Sequence, residues 1–271
     1  MTNVLHGVKE EPDFRDRVVN VSVGFGFLVV ATTAQCFIYN VNNWSTPYNF
    51  DLKDAAVTRI VQSRHHFALI DALGISIYNY EGKLLSSPKY SGLRVEFLSS
   101  RCVSLSRDVI ALLDTSNRKH VRLFDVFSGK ALNLNIEYTA EIVELMLNQV
   151  DGPNERKLSF IDANRDMFLT SVRRPEVLKI ANMVDSFQWH DECDMLAAVS
   201  DSKLVSWFYP NAIYVDKDLM DKSKTTKEIQ EVGKLATVLN FSANTVSIRR
   251  IDGALGSYAV SPYPRFLYEQ I

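Results

Sequence analysis

The chain has 271 residues, 46 % hydrophobic and 23 % charged, a balance that excludes disorder as the default and fits one or two globular domains. A formal net charge of −2 gives no electrostatic reason to expect nucleic acid or an anionic membrane surface as a main partner. The three cysteines, Cys36, Cys102 and Cys193, show no CxxC spacing, which argues against a disulfide framework and against structural zinc.

Met1 to Gly7 lacks a basic region followed by an apolar core, and no run approaches the ~18 apolar residues of a membrane span. Neither a secretory leader nor membrane insertion is expected, and the cytosol is the expected compartment.

The first predicted unit takes strands Val18 to Val23, Phe27 to Thr32, Gln35 to Val41 and Tyr48 to Leu52. A second takes Val57 to Val61, Phe67 to Ile70 and Gly74 to Tyr80. The third takes Cys102 to Leu105, Val109 to Leu113, His120 to Val126 and Ala131 to Ile136. Ile142 to Leu147, Leu158 to Ile161, Met167 to Val172 and Val177 to Ile180 form the fourth. The fifth takes Val184 to Trp189, Met195 to Val199, Leu204 to Phe208 and Ile213 to Val215. Period-2 alternation or short apolar runs, punctuated by Gly, Asn, Asp, Ser and Pro, carry these assignments.

Leading strands near residues 18, 57, 102, 142 and 184 recur at a spacing of about 40 to 45 residues, the period of four-stranded propeller blades. The third strands repeat one shape, Ile38-Tyr39-Asn40-Val41, Ile77-Tyr78-Asn79-Tyr80 and Leu123-Phe124-Asp125-Val126. The second strands are nearly pure apolar runs, as suits strands covered on both faces between neighbouring blades; a β-sandwich is the competing all-β arrangement. The fold class is therefore an all-β, WD40-like propeller of about six blades. Residues 1–17 are a lead-in, 18–260 the propeller and 261–271 a tail.

Asp216 to Val232 breaks the pattern, being charged and without alternation, so 216–233 reads as an insertion between blades or a short helix carrying Ile229 and Val232. Behind it, Leu235 to Phe241, Thr245 to Ile251 and Leu255 to Val260 supply only three strands to the last blade. Val4 to Val8 is the one amino-terminal segment able to complete it, and it is a poor strand. An unfilled edge invites pairing with another chain, so a weak homodimer through the last blade or the insertion is expected.

No catalytic, cofactor-binding or metal-binding residues are assigned. His190-Asp191-Glu192-Cys193-Asp194 places five acid/base or metal-capable residues together, yet adjacent turn residues diverge and a tetrahedral site draws ligands from separate segments. It reads as a solvated turn. In His65-His66, neighbouring strand residues point to opposite faces, one to solvent and one to a neighbouring blade. Gly82-Lys83 and Gly129-Lys130 are turns rather than phosphate cradles, and no GxSxG, Walker or GxGxxG pattern occurs. Trp189 and Trp207 are expected in the core of the fifth unit. No enzyme activity, cofactor or small-molecule substrate is expected.

Longer strings point further. Phe14-Arg15-Asp16-Arg17-Val18, Asn43-Trp44-Ser45-Thr46-Pro47, Phe50-Asp51-Leu52-Lys53, Tyr80-Glu81-Gly82-Lys83, Ser86-Ser87-Pro88-Lys89, Asn164-Arg165-Asp166 and Thr170-Ser171-Val172 occur in order. Trp207-Phe208-Tyr209-Pro210-Asn211, Tyr214-Val215-Asp216, Val246-Ser247-Ile248-Arg249-Arg250-Ile251-Asp252-Gly253 and Pro262-Tyr263-Pro264 follow. Together, over roughly residues 14–270, they resemble the second WD-type propeller of the intraflagellar transport protein 80 family, subunits of the intraflagellar transport B complex of cilia.

The resemblance implies a non-catalytic scaffold needed for cilium assembly, a docking platform for other subunits of that complex, located at the cilium, the ciliary base and the cytoplasm. A peptide-binding WD-repeat adaptor of another trafficking or coat assembly is the alternative. Against the family's plan of two propellers and a helical extension, this chain carries neither the first propeller nor the helical tail, as a fragment or short form would.

Overall fold

A computed structural model describes residues 2–3, 8–9, 13–53, 56–150, 152, 156–173, 176–214, 216–228 and 232–260. Among the described residues, after a two-stranded ribbon near the amino terminus, six antiparallel sheets follow one another in chain order, five of them four-stranded. The first blade runs Val18–Gly24, Phe27–Thr32, Gln35–Asn40, Asn43–Asp51, each strand paired to the next. The second, third and fourth blades repeat this meander from Arg59–Gln62, Val103–Leu105 and Ile142–Leu147. Innermost strands of the fifth and sixth are Val184–Trp189 and Thr237–Ser242.

The residues of the recurring third-strand shape explain why it recurs. The short polar residue ends the strand and folds its side chain over the following turn. Asn40 Oδ1 accepts the N–H of Asn42 at 2.8 Å, Asn79 Oδ1 that of Lys83 at 2.8 Å, and Asp125 Oδ1 that of Ser128 at 2.7 Å. Such side-chain mimicry of a backbone turn is what Asn and Asp do best. Gly82 and Gly129 then take φ of 82° and 66°, the left-handed region open to glycine.

The second strands His66–Asp71, Val109–Leu113 and Met195–Ser200 are buried along their length, the first and last of them up to a half-buried final residue, because each is sandwiched between two blades. Core clusters form at blade interfaces. One joins the second, third and fourth blades, one the fourth and fifth, one the fifth and sixth, and one the first and second. Trp189 and Trp207, 1 % and 0 % exposed, sit in the cluster between the fourth and fifth.

Polar links tie innermost strands together at several interfaces. Asn20 donates to the Thr58 carbonyl at 2.8 Å and Ser22 to Gln62 at 2.7 Å. Ser104 accepts from the Leu147 N–H at 2.9 Å, and Ser186 from the Val238 N–H at 3.1 Å. Arg156, fully buried, joins the third and fourth blades through an ion pair with Asp108 at 2.7 Å and a hydrogen bond to the Asn148 carbonyl.

Three expectations need correction. Ile213 to Val215 is not the outer strand of the fifth blade: Pro210–Tyr214 is a 3-10 turn. That strand is Lys224–Glu228, inside the charged segment, paired in register with Lys203 to Trp207 after the helix Lys217–Ser223. Alternation fails to mark it because an outermost strand meets solvent widely and needs no apolar face. Second, the second blade has a fourth strand, Leu84–Ser86, too short and bulged to register as a pattern. Third, the helix does not reach Ile229, which lies outside the described residues; Val232 is buried in the cluster between the fifth and sixth blades.

The sixth blade has three strands among the described residues, Thr237–Ser242, Thr245–Arg249 and Leu255–Ala259. Of the segment Val4 to Val8, residues 4–7 lie outside the described residues, and Val8–Lys9 pairs with Thr2–Asn3.

Candidate docking cleft

Register shows which way each face of the first blade looks. Asn20 and Ser22 reach the second blade, so Val21 and Val23, alternating with them, face away from it. Val21 stands opposite Val30 and Val23 opposite Leu28; these continue to Phe37 and Tyr39 on the third strand. This apolar face gathers Phe14, Phe37 and Trp44 around Leu28, Val30 and Tyr39, and no described residue of the sixth blade joins the cluster. Val21 and Val23 are left 51 % and 62 % exposed.

The sixth blade cannot seal that face, for a reason in its own residues. Val246 and Ile248 point into the fifth blade. Thr245, Ser247 and Arg249 therefore look the other way, opposite Ala259, Ser257 and Leu255. A polar sheet face thus stands across from an apolar one, and burying it there would strand hydroxyls and a guanidinium. Where the two meet the central channel lies a cavity of about 850 Å³, bordered by the first, second, fifth and sixth blades. Val23, Phe25, Trp44 and Leu239 supply its apolar lining, and Arg64, Gln188, Asp191 and Glu192 its polar rim.

The acidic turn of the fifth blade forms part of this rim. His190 Nδ1 accepts the N–H groups of Glu192 and Cys193, both at 3.0 Å, so Nε2 carries the proton and donates to the Ala243 carbonyl at 2.7 Å. Its ring meets Phe241 edge-on, centroids 4.8 Å apart. Both nitrogens being engaged, the ring offers no lone pair to a metal. Among the described residues no three His, Cys, Asp or Glu are grouped to hold one. Asp194 accepts from Asn211 at 2.6 Å, Cys193 is exposed, and Glu192 lies 3.9 Å from Arg64. Burial pushes the Asp191 carboxyl up to about 6, with His190 opposing.

His66 is buried edge-on against Phe127 of the third blade, rings 5.5 Å apart, and burial lowers its pKa to about 4. His65 is half-buried beside it. Neither lines the cleft. The cleft itself was missed in the sequence, although one signal marks it. Thr245-Val246-Ser247-Ile248-Arg249 alternates strictly, where second strands such as Val109 to Leu113 are apolar throughout, so it announces a strand covered on one face only.

No helix among the described residues is long and apolar enough to cross a membrane. Six antiparallel sheets around a channel make this a six-bladed β-propeller of the WD type. The sequence model described as "IFT80 second beta-propeller" matches residues 1–263, and the chain belongs to that family. It is 40 % identical over 99 % of its length to the intraflagellar transport protein 80 homolog of Mus musculus, and 39 % identical over the same share to that of Rattus norvegicus. It spans 35 % of the length of each of these relatives. Among solved structures, a chain of a mitotic checkpoint complex superposes with a TM-score of 0.57 at 15 % identity, covering 96 % of this chain and 82 % of that one. The WD40 domain of SCAP from fission yeast gives 0.55 at 9 % identity, covering 87 % and 62 %. At such identities the likeness is one of fold alone.

Proposed function

We propose that this chain serves as part of a non-catalytic scaffold subunit of the intraflagellar transport B particle, needed for cilium assembly, docking other subunits of that particle. The observation that carries the reading is family membership across nearly the whole chain, at 40 % identity to a named intraflagellar transport protein. A ring of rigid blades with clustered loops suits such a role, since it presents many surfaces without moving. Cilium, ciliary base and cytoplasm are the proposed locations. Self-association through the sixth blade belongs to this reading too, since that blade carries three strands among the described residues and its outer strand exposes Leu255.

Affinity purification of the tagged chain from ciliated cells, together with imaging, tests this. Particle subunits recovered in fixed ratio and signal along cilia are expected. A varied set of unrelated clients, with no ciliary signal, would favour a peptide-reading adaptor of another trafficking assembly.

A further inference from the structure

The cleft combines features that no blade-to-blade interface here shares. Its apolar wall includes Val23, 62 % exposed on an innermost strand whose Val21, on the same face, is 51 % exposed, whereas the other blade interfaces are filled by buried apolar clusters. Across the cleft, Leu239 is 43 % exposed. Contiguous exposed apolar area rimmed by polar groups marks an interaction site more often than chance.

The rim is also unbalanced in charge. Arg64 faces Glu192 at 3.9 Å, and the Asp191 carboxylate receives no hydrogen bond or ion pair among the described residues. On the strand leading to that turn, the Gln188 amide is likewise without a partner among the described residues; it offers both a donor and an acceptor, as a peptide main chain requires. A cation brought to Asp191 would pair with a half-buried carboxylate, where screening is weak.

We propose that the cleft between the first and sixth blades docks a short peptide segment of a partner, with apolar side chains against Val23 and Leu239 and a lysine or arginine on Asp191. A small molecule is disfavoured because the apolar wall is a broad sheet face and the polar groups are strung along one rim rather than converging. This deepens the docking-platform reading by naming one surface and the chemistry it accepts.

Selection of a phage-displayed library of random short peptides against the purified chain tests it. Peptides joining apolar residues to a lysine or arginine should be enriched. Asp191→Asn should weaken the selected peptides at least about fivefold, the scale of a lost charge pair. Val23→Asp and Leu239→Asp, at exposed positions that leave the melting temperature in place, should abolish binding, whereas Leu84→Asp on the second blade should not. Enrichment of peptides without basic residues, no enrichment, or binding indifferent to these variants would overturn the proposal. So would loss of self-association, rather than of peptide binding, on Val23→Asp, since the occupant would then be a second copy. Co-purification of Val23→Asp with the transport particle, read separately, bears on the scaffold role and not on the cleft.

Discussion

His190 and Ala243, 53 residues apart, are joined by a 2.7 Å hydrogen bond that fastens the acidic turn of the fifth blade to the innermost hairpin of the sixth. The Asp191 N–H reinforces it, donating to the Phe241 carbonyl at 3.1 Å. The most chemistry-laden string in the chain is thereby a structural clasp at the last blade interface.

Removing the clasp should loosen the sixth blade. His190→Ala leaves the Glu192 and Cys193 N–H groups and the Ala243 carbonyl short of a partner, and should cost about 1–3 kcal/mol in urea unfolding. Dialysis against a chelator should leave the melting temperature unchanged, since both imidazole nitrogens are engaged. A chelator-induced drop that zinc reverses would show that a ring nitrogen binds metal.

Trp189 and Trp207 flank Leu196 across adjacent strands, all three essentially inaccessible to solvent. Truncating either indole to Ala should lose about 3–5 kcal/mol, the cost of a large core cavity. A loss under about 1 kcal/mol in equilibrium denaturation would place that residue outside the packed core.

The two faces of the sixth blade should respond unequally. Ile248→Ala, on the face packed against the fifth blade, should cost about 2–5 kcal/mol. Ser247→Ala, next in sequence on the opposite face, should fall within about 0.5 kcal/mol of the parent. Equal losses would mean that the seam face is covered after all.

Stability should carry opposing pH signatures from two buried groups. Burial pushes Glu144, 3.8 Å from Arg101, up to about 7, with Arg101 opposing. The folded state thus holds a proton that the unfolded chain releases near 4.5. This contribution is complete below 4.5 and lost as pH rises through 7, so Glu144→Gln should gain on the parent over that window, by on the order of 3 kcal/mol. His66, lowered by burial to about 4, works in reverse: its contribution is present above 6.5 and lost as pH falls toward 4. His66→Phe should flatten that acid limb. Denaturation midpoints across pH 4 to 8 check both.

Arg156 spans the third and fourth blades from a fully buried position. Arg156→Ala removes the cation from Asp108 and the donor from the Asn148 carbonyl, and should cost about 3–5 kcal/mol by calorimetry. Asp108 keeps access to water, so Asp108→Asn should cost less than Arg156→Ala. The reverse order would mean that the carboxylate, not the guanidinium, holds the pair.

Much of this architecture is written locally. A third strand ending in Asn40, Asn79 or Asp125 carries its own turn, because the side chain closes the hydrogen bonds that the turn requires. The apolar second strands report burial on both faces, so the order of blades, their approximate number and the family are determined by sequence alone. Segments whose surroundings are wet on one side escaped that reading. Lys224–Glu228 pairs through its backbone with Lys203 to Trp207, and backbone pairing leaves no pattern in side chains. The cleft lies further still from any local signal. Val23, Gln188, Asp191 and Leu239 come from three blades, and only closure of the chain around its axis brings them to one cavity. Whether an apolar face is sealed depends on the face set opposite it. That relation, between the first blade and the polar side of the sixth, is decided by the tertiary structure.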